Sequence, residues 1–263
     1  MSDLSILMIG DIAGKPGMRA VGRLLPRLVV DQRIDFTVAN AENAAGGIGL
    51  TGELADELLA LRIDCVTTGN HVWRQRELLG YIGQERRALR PYNFSARQPG
   101  RGVGLFETAA GIKVGVMNLV GRVFMDPADN PFEAALRGRE ELAAARVVLV
   151  DFHAEATSEK RAMGFHLHGR VTAVVGTHTH IQTADEQILE GGTAYITDVG
   201  MTGPHDSVIG IRKELALDKF VAGIPHPFKV AKHDVRLQGV VIRADIDTGR
   251  ATSIERIDLP MPV

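Results

Sequence analysis

Short apolar runs alternate with helical patterns from the start of the chain, and this alternation constrains the fold more than any other feature. LSILMIGD (4–11) is followed by a helical pattern over 17–31. IDFTVANAEN (34–43), the helical ELADELLALR (53–62) and IDCVTTGNH (63–71) come next. Strands separated by helices return in the same direction and build a parallel sheet covered by helices. Past residue 90 the grammar changes. VGLFETAAGIKVGVMNLV (103–120) reads as two strands around a tight Ala-Gly turn, and QILEGGTAYITDVG (187–200) and VRLQGVVIRADIDTGRATSIERIDL (235–259) read as hairpins about Gly-containing turns. RVVLVDFH (146–153) and VTAVVGTHTH (171–180) are buried strands flanking a helical stretch at 157–168. The expected fold is therefore α/β, a two-sheet mixed β sandwich flanked by helices. No repeat or linker divides it, so a single domain over 1–263 is expected. Segment 121–140 is the least regular long piece and is expected to be a surface excursion bordering a site.

Composition narrows the function classes. A formal net charge of −2, with 45% hydrophobic and 24% charged residues, lacks the basic excess of a nucleic-acid binder. The one cysteine, Cys65, lies inside an apolar run, reads as a core side chain, and fits a reducing cytosol. The acidic N-terminus MSDLSILMIGDIAGKPG lacks the basic start and apolar length of a signal peptide or membrane span, so a cytoplasmic location is expected.

The chemistry collects where the apolar runs end. Asp11 follows ILMIG, Glu42 and Asn43 follow FTVAN, and Asn70 and His71 follow VTTG. His153 follows VVLVDF, and His178 and His180 close VVGTHTH, where strand alternation would project both rings to the same side. In α/β sheets the loops at the carboxyl ends of the strands converge on ligands. Taken singly, Asp11 reads as a helix N-cap, Glu42-Asn43 as caps of a Gly-rich turn, Asn70 as a left-handed turn residue and His153 as a satisfied interior histidine. Together at one sheet edge they read better as a shared ligand set. Carboxylate, amide and imidazole without thiolate suit Mn, Fe or Zn, and the number of groups exceeds the needs of one ion.

Other motifs carry less. GDIAGKP has three residues between its glycines and Pro16 at the Ser/Thr position, which excludes a P-loop. GIGLTG (47–52) satisfies G-x-G-x-x-G without an acid closing the next strand; it reads as a turn bringing backbone close to the metals before a helix starting near Gly52. His166, His168, His205, His226 and His233 read as surface or packing residues. The stretch DVGMTGPHDSVIG (198–210) reads as a loop, either walling the pocket or simply on the surface.

The series Gly10-Asp11, GNH (69–71), the lone His153 and GTHTH (176–180) resembles the calcineurin-like metallophosphoesterases. Two departures, Asp11-Ile12-Ala13 in place of Asp-x-His and NAEN (40–43) in place of Gly-Asp-x-x-Asp, resemble the YmdB-type bacterial cyclic-nucleotide phosphodiesterases, whose stretches match over almost the whole chain. The resemblance implies two divalent or mixed-valence ions, Fe or Mn before Zn. Asp11, Asn43 and His180 would hold the first, Asn70, His153 and His178 the second, and Glu42 would bridge them. It implies His71 as proton donor to the leaving oxygen, with a metal-bridging hydroxide as nucleophile. The implied substrate is a small phosphodiester, a 2′,3′-cyclic nucleotide opened to the 3′-nucleotide. Neither a membrane nor duplex nucleic acid is expected as a partner, and a homo-oligomer stays open. The competing function is a signalling or scaffold protein that holds a metal-bound nucleotide with little turnover; an intact His71 speaks against it.

Overall fold

The computed structural model describes residues 3–262. Strand β1 (Asp3–Ile9) leads through the two-residue β2 (Asp11–Ile12) into helix α1 (Gly14–Asp31). Then come β3 (Phe36–Asn40), α2 (Gly52–Ala60), β4 (Cys65–Thr67), the short α3 (Leu78–Ile82) and β5 (Ala88–Leu89). A second half opens with β6 (Val103–Glu107) and β7 (Lys113–Val120), followed by α4 (Pro131–Glu141), β8 (Val147–His153), α5 (Thr157–Leu167) and β9 (Ala173–Thr177). After β10 (Gln187–Leu189) and β11 (Thr193–Ile196) the chain returns through β12 (Met201–Pro204), α6 (Lys213–Ala222), β13 (Val235–Asp245) and β14 (Ala251–Pro260).

Two mixed sheets result, and helices cover their outer faces. The first runs β2-β12-β13-β1-β3-β4-β5, with β14 on the other edge of β13; the second runs β10-β11-β9-β8-β7-β6. The βα units give the parallel pairs β1/β3, β3/β4, β7/β8 and β8/β9, whereas β6/β7, β10/β11 and β13/β14 are antiparallel hairpins. Alternation along the strands divides the core. Leu4, Ile6 and Met8 of β1 pack between the sheets with Val147 and Leu149 of β8, while Leu7 and Ile9 face Val21 and Leu25 of α1. Val148, Val150 and Phe152 of β8 face Met163 and Leu167 of α5.

Several elements differ from expectation. Residues 121–140 are half helix: Asn130 caps α4 by accepting from the Phe132 amide, and Pro131 takes its first position. The buried face of α4 is Pro131, Ala134, Ala135 and Gly138, a helical spacing written in small residues that give weak apolar contrast. Stretch 198–210 contains buried strand β12, which pairs with both β2 and β13 and so belongs to the first sheet instead of a loop. Helix α6 buries only Ala216, so core burial leaves almost no pattern in its sequence. At Gly47 (φ 98°) a Cβ would sit 2.4 Å from Phe228, so the close approach required there is to that ring and not to the metal-ligand cluster.

Candidate metal centre

Between the sheets the strand faces turn from apolar to polar as they near their carboxyl ends. Below lie Val38, Cys65, Val116, Leu149 and Val175; one pleat further on come Asn40, Thr67, Asn118, Asp151 and Thr177, all buried. Asp151 accepts hydrogen bonds from Thr67 Oγ1 (2.5 Å), Thr177 Oγ1 (2.7 Å) and Asn40 Nδ2 (3.0 Å). Burial nevertheless pushes its carboxyl up to about 6. This polar layer is the floor of the site.

On the floor stands His153, fully buried, whose Nε2 is a point of convergence. Glu42 Oε1 lies 3.1 Å from it, Asn70 Oδ1 3.1 Å and His178 Nδ1 3.0 Å. Donors occupying neighbouring positions about a divalent ion at about 2.1 Å stand roughly 3 Å apart. Beside this group lies a second. His180 Nε2 is 3.7 Å from Asp11 Oδ1 and 3.2 Å from Asn43 Nδ2, and Asn43 Nδ2 donates to Glu42 Oε1 at 3.3 Å. Glu42 touches both groups. Asn43 presents its amide nitrogen to the cluster and its Oδ1 to His71 Nδ1 (2.9 Å); a half-turn of the amide exchanges the two ends.

The terminal histidines reach the cluster by a turn. Strand β9 stops at Thr177, and His178 and His180 adopt φ of 96° and 64°, so strand alternation does not set their direction. Their rings thereby enter different donor groups. The three imidazoles share one design: each turns one nitrogen inward while the other is held from outside. His153 Nδ1 lies 2.9 Å from Thr177 Oγ1, His178 Nε2 3.1 Å from Glu155 Oε2, and His180 Nδ1 2.9 Å from the Ile209 carbonyl. Such outer partners fix the tautomer that aims a lone pair at a cation.

Charge and crowding fit a cation as well. Asp11 Oδ1 is buried without a hydrogen-bond partner, while Oδ2 accepts from the His178 amide at 3.1 Å. Burial opposes ionisation of both acids, but His180 and His153 outweigh it at Asp11, and His153 and His71 hold Glu42 well below the usual carboxylate range. Burial works against charge on His180 too, yet Asp11 and the Ile209 carbonyl raise it to about 9. Burial and the neighbouring His153 press His178 down to about 3. At Gly69 a Cβ would stand 2.3 Å from Glu42 Oε2 and from His153 Nε2, so the turn before Asn70 passes directly over the cluster.

Asp11, Glu42, Asn43, Asn70, His153, His178 and His180 thus lie in one connected cluster, with His71 on its rim. Two of the single-residue readings fail locally. Ala13, not Asp11, is the N-cap of α1, and Glu42 accepts from His71 instead of capping the turn after it.

The family model described as YmdB-like protein matches residues 7–257. The chain belongs to the YmdB-like family. A curated relative from Bacillus subtilis, named 2′,3′-cyclic-nucleotide 2′-phosphodiesterase, is 45% identical over 258 residues, 97% of this chain and 96% of that protein. Among solved structures, a novel phosphatase from Mycoplasma pneumoniae superposes with TM-score 0.93 at 34% identity, covering 99% of this chain and 94% of that one. A hypothetical protein from Thermus thermophilus does so with TM-score 0.92 at 40% identity, covering 98% and 100%.

Beyond the residues that the sequence of this YmdB-like chain singles out, a buried ion pair supports the site. Lys160 Nζ donates to Asp198 Oδ2 at 2.7 Å, both side chains being buried. The same oxygen accepts from Thr179 Oγ1 (2.7 Å) and the Thr179 amide (3.1 Å), which fixes the turn between His178 and His180. A lysine in a helix and an aspartate 38 residues later carry no local signal of this pairing.

Proposed function

We propose that this chain is a dinuclear metal-dependent phosphodiesterase that opens 2′,3′-cyclic nucleotides to 3′-nucleotides. The observation that carries the reading is Glu42: one fully buried carboxylate in contact with two separate groups of N and O donors. Asp11, Asn43 and His180 are assigned to one ion, Asn70, His153 and His178 to the other, and Glu42 to both. Two such ions would supply the nucleophilic oxygen and neutralise charge on the phosphate. The name of the Bacillus subtilis relative supports the substrate class. Fe or Mn is the proposed metal.

His71 is assigned the proton delivered to the departing O2′. Its Nδ1 lies 2.9 Å from the Asn43 side-chain amide and 3.1 Å from Glu42 Oε1, which fixes the ring, and Nε2 makes no hydrogen bond among the described residues. An imidazole held in this way can neutralise an alkoxide for about 10²–10⁴-fold in rate. The test pairs elemental analysis with turnover of 2′,3′-cyclic, 3′,5′-cyclic and linear phosphodiesters. Two ions per chain and preferential 2′,3′-cyclic cleavage are expected. One ion, or tight nucleotide binding without turnover, overturns the reading. His71→Ala should keep both ions and lose that rate factor; full turnover removes the assigned role.

A further inference from the structure

At the end of the second sheet opposite the metal centre lies a cavity of about 270 Å³ whose lining includes Arg139, Arg146, Arg170 and Arg250. Arg146 immediately precedes β8 and His153 ends it, so roughly 20 Å of extended strand separate the two places. No acidic residue lines the cavity, and none of the four guanidiniums forms an ion pair among the described residues, although the whole chain carries a formal charge of −2. Two are fixed by neutral acceptors. Arg139 donates from Nε to the Arg170 carbonyl (2.8 Å) and from Nη1 to the Leu142 carbonyl (3.2 Å), and Arg146 Nη1 donates to the Asp247 carbonyl (2.6 Å). These bonds orient the charges without cancelling them. The floor is backbone: Gly191 and Gly192 have φ of 83° and 85°, and a Cβ on Gly192 would strike the Arg250 stem at 2.8 Å. Gly192 thus lets that side chain lie against the turn.

Converging guanidiniums repel one another unless an anion sits among them, and their planar forks match phosphate oxygens in pairs. The lining contains no aromatic ring on which a base could stack. We propose that this cavity binds an oligophosphate group, the chemistry shared by free tripolyphosphate and the phosphate tail of a nucleoside triphosphate, at a site separate from the metal centre. Recognition reaches the phosphates and not the base.

Calorimetry of tripolyphosphate and of ATP against the metal-loaded protein tests this, with Arg170→Ala/Arg250→Ala as the comparison. Both side chains are exposed and make no hydrogen bond among the described residues, so the variant should keep its melting temperature and its cleavage of bis(p-nitrophenyl) phosphate. The two ligands should bind the wild type with similar affinity, weaken as salt rises, and lose at least tenfold in the variant, with sulfate at least tenfold weaker than either. Equal affinity in the two proteins would place the ligand at the metals and overturn the proposal. So would absence of binding to the wild type, sulfate matching tripolyphosphate, much tighter binding of ATP than of tripolyphosphate, or a single-stranded oligonucleotide without terminal phosphates binding better than both.

Discussion

Thr179 sits between two histidines whose backbones are both left-handed, a conformation that costs non-glycine residues of order 1–3 kcal/mol each. Its hydroxyl and amide both end on Asp198, and Lys160 neutralises that carboxylate in a buried pair, so the turn is held from beneath. Thr179→Val removes the hydroxyl bond and leaves the ion pair. Metal affinity, read by competition with a chromophoric chelator, should fall about 10–100-fold with little change in the melting temperature of the metal-free protein. Asp198→Asn leaves Lys160 buried and uncompensated and should cost about 3–5 kcal/mol in chemical denaturation. Protonation distinguishes the histidines in the same cluster. Without a cation His180 lies at about 9 and so holds a proton at neutral pH, Glu42 and Asp11 raise His153 against its burial, and His178, at about 3, is already neutral. A cation must displace the proton of His180 and none from His178. Metal affinity should therefore rise with pH toward about 9, and calorimetry in buffers of different ionisation enthalpy should report net proton release; identical heats in all buffers would contradict this.

At the scale of elements, the strand ends do the positioning. Gly69 follows β4 by two residues, and its missing side chain leaves the room that Glu42 and His153 occupy. Gly69→Ala should displace one of the two, and elemental analysis should find loss of at least one ion per chain from a protein whose far-ultraviolet dichroism is unchanged; a fully loaded variant would show that the turn can yield. Much at this scale was legible in the sequence. The βαβ alternation and the three hairpins are repetitive, local patterns, and both sheets follow from them. What escaped was written in residues of low contrast or in distant pairing. The α4 helix buries alanine, glycine and proline, α6 buries one alanine, and β12 is a strand because Asp11-Ile12 and Val235-Arg236 flank it. The ligand-type residues were readable because each ends an apolar run. The Lys160–Asp198 pair was not, because nothing near either residue announces the other.

Across the whole molecule, the space between the sheets is apolar over most of its depth and becomes a hydrogen-bonded polar layer only under the cluster. Asp11, Glu42 and His153 are buried above that layer, and Asp11 Oδ1 has no partner there. Divalent ions bound among them would join residues from both sheets, since Asp11 and Glu42 extend from the first and His153 and His178 from the second. They would bind the folded state and not the unfolded chain, so stability should depend on free metal by mass action. At about 100 times the dissociation constant the gain is about 2.7 kcal/mol per site, and a chain of this size shifts by roughly 2–4 °C per kcal/mol. Chelation should therefore lower the melting temperature by roughly 5–10 °C for each ion lost. Glu42→Gln, which removes the one carboxylate in contact with both donor groups, should melt at the same temperature with and without chelator. A wild-type melting temperature indifferent to chelator would mean that the two sheets are held together without any cation, and that the buried acids are satisfied by the histidine protons alone.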